Sequence, residues 1–257
     1  MDQNIIVTES CSNLRALGRD ALIGKWGLGV VGTLLYAALT TVPVIILNAI
    51  FRHGEVGPSG ISTIYSLLIS GPMTLGYAMF AISIFRKRET SAAEVFYGFE
   101  RFSKAFGLYI VMSIFIILWS LLLIVPGIIA ALRYGMSFYI LADHPEMGIM
   151  EAINESKRMM KGNKWKLFCL NLSFIGWGLL CVFTLGIGFL WLVPYMEVTM
   201  IAFYDIANGS LRPVRTIEGT VSEAGGTGRD PITVYRDEPA EKEPPGEQDT
   251  NAPKGEE

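Results

Sequence analysis

Charged and metal-binding residues are scarce in this chain of 257 residues, in which charged side chains make up 18% and histidines number two. Soluble domains carry about a quarter charged residues, so the composition argues against a soluble protein. His53 and His144 lie in no group of cysteines, histidines and carboxylates with metal-ligand spacing. The three cysteines, at positions 11, 169 and 181, also lack metal or redox spacing. We therefore expect no metal and no other cofactor.

The common catalytic motifs are missing as well. The sequence contains no GxSxG, P-loop or HExxH pattern. The glycine-containing stretch 184–188 is followed by no Gly-Lys-Ser/Thr, so it predicts a tight turn rather than a phosphate-binding loop. No clustered basic surface accompanies base-reading or stacking elements, as a nucleic-acid-binding protein requires. We predict that the protein is not an enzyme and does not bind nucleic acid.

Long apolar segments dominate what is present. A helix that spans the membrane needs roughly 20 apolar residues, because each adds about 1.5 Å across a core about 30 Å thick. Residues 107–142 are too long for one span, and Pro126-Gly127 is the natural break between two. The predicted spans are about 26–51, 61–85, 107–125, 126–142, 165–183 and 185–206. The sequence thus predicts an all-α polytopic membrane protein.

The fourth segment is short and contains Arg133, so a re-entrant segment is the alternative to a span there. Lysine and arginine collect in the N-terminal segment 1–25 and in the connections 86–106 and 143–164. Cytoplasmic loops are enriched in these residues. Only six crossings place all three basic regions on one side. We therefore predict six spans in the plasma membrane, with both termini in the cytoplasm.

The basic regions themselves show helical patterns. Ser91 and Glu94 fit a capping box, and apolar residues then recur at 4-3-4 spacing, at Val95, Phe99, Phe102 and Phe106. Residues 149–161 form a second amphipathic pattern, and Leu14–Ile23 forms a weaker third one. Such helices are expected at the membrane interface, with their basic side toward the headgroups.

Each amphipathic segment precedes two apolar segments, the second of which contains a proline. These prolines are Pro72, Pro126 and Pro194. The order predicts a three-fold parallel repeat, although apolar helices also resemble one another by composition alone.

The C-terminal region changes character. Residues 209–257 contain six prolines, seven glycines and eleven acidic residues. Such a segment cannot bury enough apolar surface to offset its conformational entropy. The predicted regions are therefore an N-terminal segment 1–25, a membrane domain 26–207 and a disordered acidic cytoplasmic tail 208–257. The tail either solubilises the protein or binds a partner.

Two opposite charges lie well inside predicted spans, namely Arg133 in the fourth and Glu197 in the sixth. Charged groups inside a membrane usually face the bundle interior and find a partner, so these two side chains are a candidate pair. A functional pair would belong to a substrate or ion site. A structural pair, or an Arg133 side chain that extends toward the interface, would have no such role.

Several ordered motifs resemble one bacterial membrane protein family, catalogued as domain of unknown function 975. They are VPGIIAALRY at 125–134, YILADHP at 139–145, EAINESKRMMKG at 151–162, LSFIGW at 172–177 and TLGIGFLWLVPY at 184–195. The resemblance covers roughly residues 12–207. It implies a multi-pass plasma-membrane protein and carries no established activity.

Two functions fit these observations. The first is a non-enzymatic membrane protein that organises or anchors partners, in contact with the lipid bilayer and with proteins through its cytoplasmic helices and tail. The alternative is a small transporter or channel with Arg133 and Glu197 along its path.

Overall fold

The computed structural model of the chain describes residues 5–51, 60–214 and 233–236. The chain forms two compact units, Met1–Gly209 and Ser210–Glu257. The described helices all lie in the first unit. They are α1 Cys11–Leu22, α2 Trp26–Ile50, α3 Gly60–Phe85, the 3₁₀-helix η1 Ala92–Arg101, α4 Phe102–Leu122, α5 Ile124–Tyr134, α6 Ser137–Asp143, α7 Ile149–Met159, α8 Lys164–Phe183 and α9 Phe189–Asn208.

The second unit contains two short strands, β1 Leu211–Val214 and β2 Thr233–Arg236. They pair antiparallel, with Leu211 opposite Arg236 and Val214 opposite Thr233. The tail prediction for 208–257 did not include these strands. Its other residues, apart from the end of α9 and the two residues that follow it, lie outside the described ranges.

Six segments within the described residues are long and apolar enough to cross a membrane, as predicted. They are α2, α3, η1 with α4, α5 with α6, α8 and α9. The fold is therefore that of an all-α polytopic membrane protein. The sequence predicted that the third span starts at residue 107. In the structure the 3₁₀-helix η1 is continuous with α4, so this span begins earlier.

The helices follow one order three times: a short interfacial helix, an outgoing helix and a return helix. The interfacial helices are α1, η1 and α7, the outgoing helices are α2, α4 and α8, and the return helices are α3, α5–α6 and α9. All three interfacial helices precede outgoing helices and therefore share one end of the bundle, which we call the basic end. This arrangement agrees with the predicted parallel repeat.

Burial separates the return helices from the outgoing ones. In the apolar segments of α3, α5–α6 and α9, 61%, 50% and 56% of the residues are buried within the protein. In α2, η1–α4 and α8 the corresponding shares are 11%, 17% and 17%. The return helices therefore form the core, and the outgoing helices present apolar side chains to lipid.

The fourth span begins after an extended residue. Leu123 has φ −164° and ψ 152°, which ends α4 and allows α5 to begin at Ile124. Pro126 then lies in the first turn of α5, where backbone N–H groups have no helical partner and a proline is tolerated. The sequence predicted this break at Pro126-Gly127. In the structure it lies two to three residues earlier.

The fourth span is itself interrupted between α5 and α6. There the Ser156 hydroxyl of α7 donates to the Arg133 carbonyl at 3.0 Å and accepts from the Met136 N–H at 3.3 Å. The backbone groups that the interruption frees are therefore satisfied by a neighbouring helix, as buried polar groups require. This contact also fixes α7 against the return helix.

The turn between α8 and α9 was predicted from its sequence. Residues 184–188 connect the two helices, and Gly186 adopts φ 86°, in the left-handed region that favours glycine.

Candidate functional site

A cluster of ionised side chains lies inside the basic end, where the three return helices converge. Arg86 directly follows α3, Asp143 ends α6 and Asp205 lies in the last turn of α9. The Arg86 guanidinium donates to Asp143 Oδ1 at 2.5 Å and Oδ2 at 2.8 Å, and to Asp205 Oδ1 at 2.9 Å. One guanidinium thus connects all three units of the repeat.

This cluster is largely shielded from solvent. The side chains of Arg86, Asp143 and Asp205 are 12%, 16% and 3% exposed. Tyr204 adds a hydrogen bond from its hydroxyl to Asp143 Oδ2 at 3.2 Å. Burial lowers the pKa of Arg86, but the hydrogen bonds with Asp143 and Asp205 outweigh it and raise that pKa above its ordinary value. The guanidinium therefore stays charged and fixes the ends of the return helices.

No motif or spacing in the sequence identifies these three residues as a site. Arg86 counted only as one of many basic residues in a connection, and both aspartates lie close to the ends of apolar segments. Asp143 lies inside the family-like motif at 139–145. The available signal was that each proline-containing segment ends near one charge, with signs that can pair.

A second polar site lies near the middle of the membrane domain. Glu197 is about 12 Å from the start of α9, since each helical residue adds about 1.5 Å. Its Oε2 accepts a hydrogen bond from the Tyr139 hydroxyl of α6 at 2.8 Å. Glu197 borders a cavity of about 140 Å³, whose other lining residues are Tyr36, Thr74, Tyr77, Ala78, Gly135, Phe138, Tyr139 and Val193.

Hydroxyl-bearing side chains line the same cavity as this carboxylate, namely Tyr36, Thr74, Tyr77 and Tyr139. The Tyr36 and Tyr77 rings lie 5.1 Å apart, and the Tyr77 hydroxyl is 2.8 Å from Thr33 Oγ1. Phenolic and threonine oxygens can coordinate a small cation or accept a hydrogen bond from a polar ligand. The carboxylate supplies negative charge. The cavity is therefore suited to a small polar or cationic ligand.

Two tyrosines lie between the cavity and the ion cluster. Tyr139 bonds to Glu197, and Tyr204 bonds to Asp143. Their rings are 6.2 Å apart. Polar groups thus follow one another from the middle of the membrane domain to the basic end.

The structure does not bring the predicted pair together. Within the described residues no ion pair joins Arg133 to Glu197. The reason is the interruption of the fourth span: α6, which is buried over 137–141, carries the Glu197 partner Tyr139. Arg133 belongs to α5, is exposed, and lines a different cavity beside α7.

The family model described as "Protein of unknown function (DUF975)" matches residues 8–132 and 120–209. The chain belongs to this family. The matched residues include all three interfacial helices, the ion cluster and the Glu197 cavity, whereas the strands β1 and β2 lie beyond the matched region. The resemblance found in the sequence motifs is confirmed. No curated protein and no solved structure matches the chain.

Proposed function

We propose that this DUF975 protein is a non-enzymatic plasma-membrane protein that anchors partners on its basic end, which faces the cytoplasm. The observation that carries the proposal is the shared position of the three interfacial helices, each fixed to the core. The concentration of lysine and arginine at that end supports the cytoplasmic orientation.

The interfacial helices are held by specific contacts. Gly18 of α1 lies so close to Thr199 of α9 that a Cβ atom at Gly18 would overlap the Thr199 hydroxyl. Gly98 of η1 packs equally closely on the backbone of α3, and Ser156 of α7 bonds to the backbone at both sides of the α5–α6 interruption. Helices held in this way give a partner a surface of fixed shape, which lowers the entropy lost on binding.

This surface also presents large side chains to its surroundings. Phe96 and Tyr97 of η1 are 39% and 45% exposed, and Met150 of α7 is 48% exposed. Aromatic residues and methionine are enriched where proteins meet. These side chains would contact a protein partner, and the flanking lysines and arginines would contact the bilayer.

Site-specific photocrosslinking in living cells tests this proposal. A photoreactive residue at Tyr97 or at Met150 should capture the same protein reproducibly. The matched control is Ile187 at the opposite end of the bundle, which is 60% exposed and should not capture that protein. Equal capture at Ile187, or no protein captured at either basic-end position, would contradict the anchoring function.

The Glu197 cavity supports a second candidate, a small transporter or channel for a cation. Carboxylates inside a membrane mark ion and proton pathways, and this one faces hydroxyl groups in a cavity. Arg133 has no part in this version, because it lines a different cavity.

Cation flux into proteoliposomes tests the second candidate. Wild-type protein should show flux above that of empty vesicles, and Glu197→Gln should abolish it. Glu100→Gln, which removes an equal charge from an exposed position on η1, should leave the flux unchanged. Flux that persists in Glu197→Gln would exclude this route.

A further inference from the structure

A basic cavity of about 440 Å³ lies between α5, α7 and α8 at the basic end. The described residues that line it all carry positive charge: Arg133, Lys157, Arg158, Lys161 and Lys164. Among the described residues, Glu155 forms an ion pair with Arg158. Positive charge therefore outweighs negative charge around this cavity.

Three of these residues are placed to hold an anion. Arg133 is exposed near the end of α5, and Lys164 is the first residue of α8. The part of the chain that the structure describes gives neither side chain an ion-pair partner. The Lys157 ammonium lies 5.8 Å and 5.7 Å from the ring centroids of Phe115 and Tyr134, and it lines the same cavity as the other two.

The residues around the cavity are those expected at the depth of the lipid headgroups. Trp165, directly after Lys164, is 73% exposed, and its ring stacks on Phe168 at 5.4 Å. Exposed tryptophans are characteristic of the membrane–water interface. On the two spanning helices that border the cavity, Ile129 and Leu172 are 45% and 52% exposed, so both helices also present apolar surface to acyl chains.

We propose that this cavity binds the phosphate group of an anionic phospholipid in the leaflet at the basic end. The Arg133 guanidinium matches two phosphate oxygens in its planar geometry, and the lysines supply further charge. Basic pockets between spanning helices at the cytoplasmic face are suited to anionic headgroups. The site does not depend on the anchoring function, because lipid binding here requires no protein partner.

Native mass spectrometry of the full-length protein, titrated with phosphatidylglycerol or phosphatidylcholine, tests the proposal. Wild-type protein should bind phosphatidylglycerol more tightly. Arg133→Gln with Lys164→Gln should weaken that binding about thirtyfold and abolish the preference, because each basic residue near a headgroup contributes roughly a factor of five. The control, Arg19→Gln with Lys87→Gln, removes two exposed charges from the same end and should keep the preference.

Inorganic phosphate and glycerol phosphate form a separate arm that identifies the source of the anion. Neither should displace phosphatidylglycerol at millimolar concentration. Displacement by either compound, equal loss in both double variants, or an undiminished preference in the cavity variant would each overturn the proposal. The single variant Lys164→Gln, expected to lose about fivefold in affinity, provides the test if the double variant does not fold.

Discussion

Arg86 is the residue on which the interior of the basic end depends most directly. Its guanidinium forms ion pairs with two carboxylates from different helices, and all three side chains are at most 16% exposed. A buried ion pair contributes little net stability, since desolvation offsets the attraction between its members. Removal of one member is different, because the remaining charge is left in a poorly solvated place.

We therefore predict that Arg86→Met lowers the free energy of unfolding by about 3–5 kcal/mol, because two buried aspartates lose their counter-ion. The measurement is unfolding in mixed micelles titrated with SDS, followed by tryptophan fluorescence. The triple variant Arg86→Met, Asp143→Asn, Asp205→Asn should regain most of the loss, since no charge then remains unpaired.

Arg158→Met is the matched control, because the Glu155–Arg158 pair is partly exposed to solvent. Exposed pairs contribute about 0–1 kcal/mol, so this variant should unfold close to the wild type. If Arg86→Met were as stable as Arg158→Met, the cluster would not hold the return helices together.

At the scale of single residues, the sequence indicated Glu197 but not the Arg86 cluster. It recognised Glu197 as an intramembrane charge, and the structure gives that carboxylate a buried partner in Tyr139. It offered Arg133 as a candidate partner for Glu197, whereas the structure places the two on different cavities, because position along the chain does not specify which side of a helix faces which neighbour. It also missed the Arg86 cluster, whose members become a site only where three helix ends meet.

Close helix contact at glycine is the main feature at the scale of elements. A Cβ atom at Gly76 of α3 would overlap the Val95 carbonyl of η1, and one at Gly98 would overlap the Pro72 carbonyl. In lipid, helices associate through close packing rather than through the hydrophobic effect, and small residues allow it. The Gly76–Gly98 crossing therefore determines how near η1 lies to the core.

We predict that Gly76→Ala destabilises the protein by about 1–3 kcal/mol, because η1 must shift to accommodate the added methyl group. Gly178→Ala is the matched control. A Cβ atom there meets nothing within 4 Å, so the same methyl group should cause no loss. The SDS unfolding midpoint measures both, and a smaller effect at Gly76 than at Gly178 would show that this crossing tolerates separation.

Some helix boundaries cannot be predicted from the apolar pattern of the sequence. The pattern located the fourth span, yet gave no sign of the interruption between α5 and α6. That interruption depends on a hydroxyl from another element, since Ser156 of α7 bonds to Arg133 and Met136 of the interrupted span. The interruption therefore depends on tertiary structure, which the apolar pattern of one segment does not predict.

At the scale of the whole molecule, the sequence predicted the number and order of the spans but not their arrangement. Length and apolarity are properties of each segment alone, so six spans and three units followed directly. The placement of return helices in the core and outgoing helices against lipid depends on packing. Pro72, Pro126 and Pro194 lie in the three return helices that form the core, but proline alone does not identify a return helix, because Pro43 lies in the outgoing helix α2.

The orientation of the whole molecule gives the last prediction. If the basic end faces the cytoplasm, the exposed Glu89 lies inside the cell and the exposed Ile187 lies outside it. The test uses protein whose native cysteines, at positions 11, 169 and 181, are replaced by serine, with Glu89→Cys or Ile187→Cys added singly. A membrane-impermeant maleimide should label Ile187→Cys in intact cells and Glu89→Cys only after lysis.

A permeant maleimide, which should label both single-cysteine proteins in intact cells, controls for the reactivity of the two thiols. Labelling of Glu89→Cys from outside would place the interfacial helices and the basic cavity on the outer face, away from any cytoplasmic partner. The ion cluster and the helix crossings would be unaffected, because they depend only on contacts within the protein. The same experiment therefore separates what the fold requires from what the anchoring function requires, since only the second needs the basic end inside the cell.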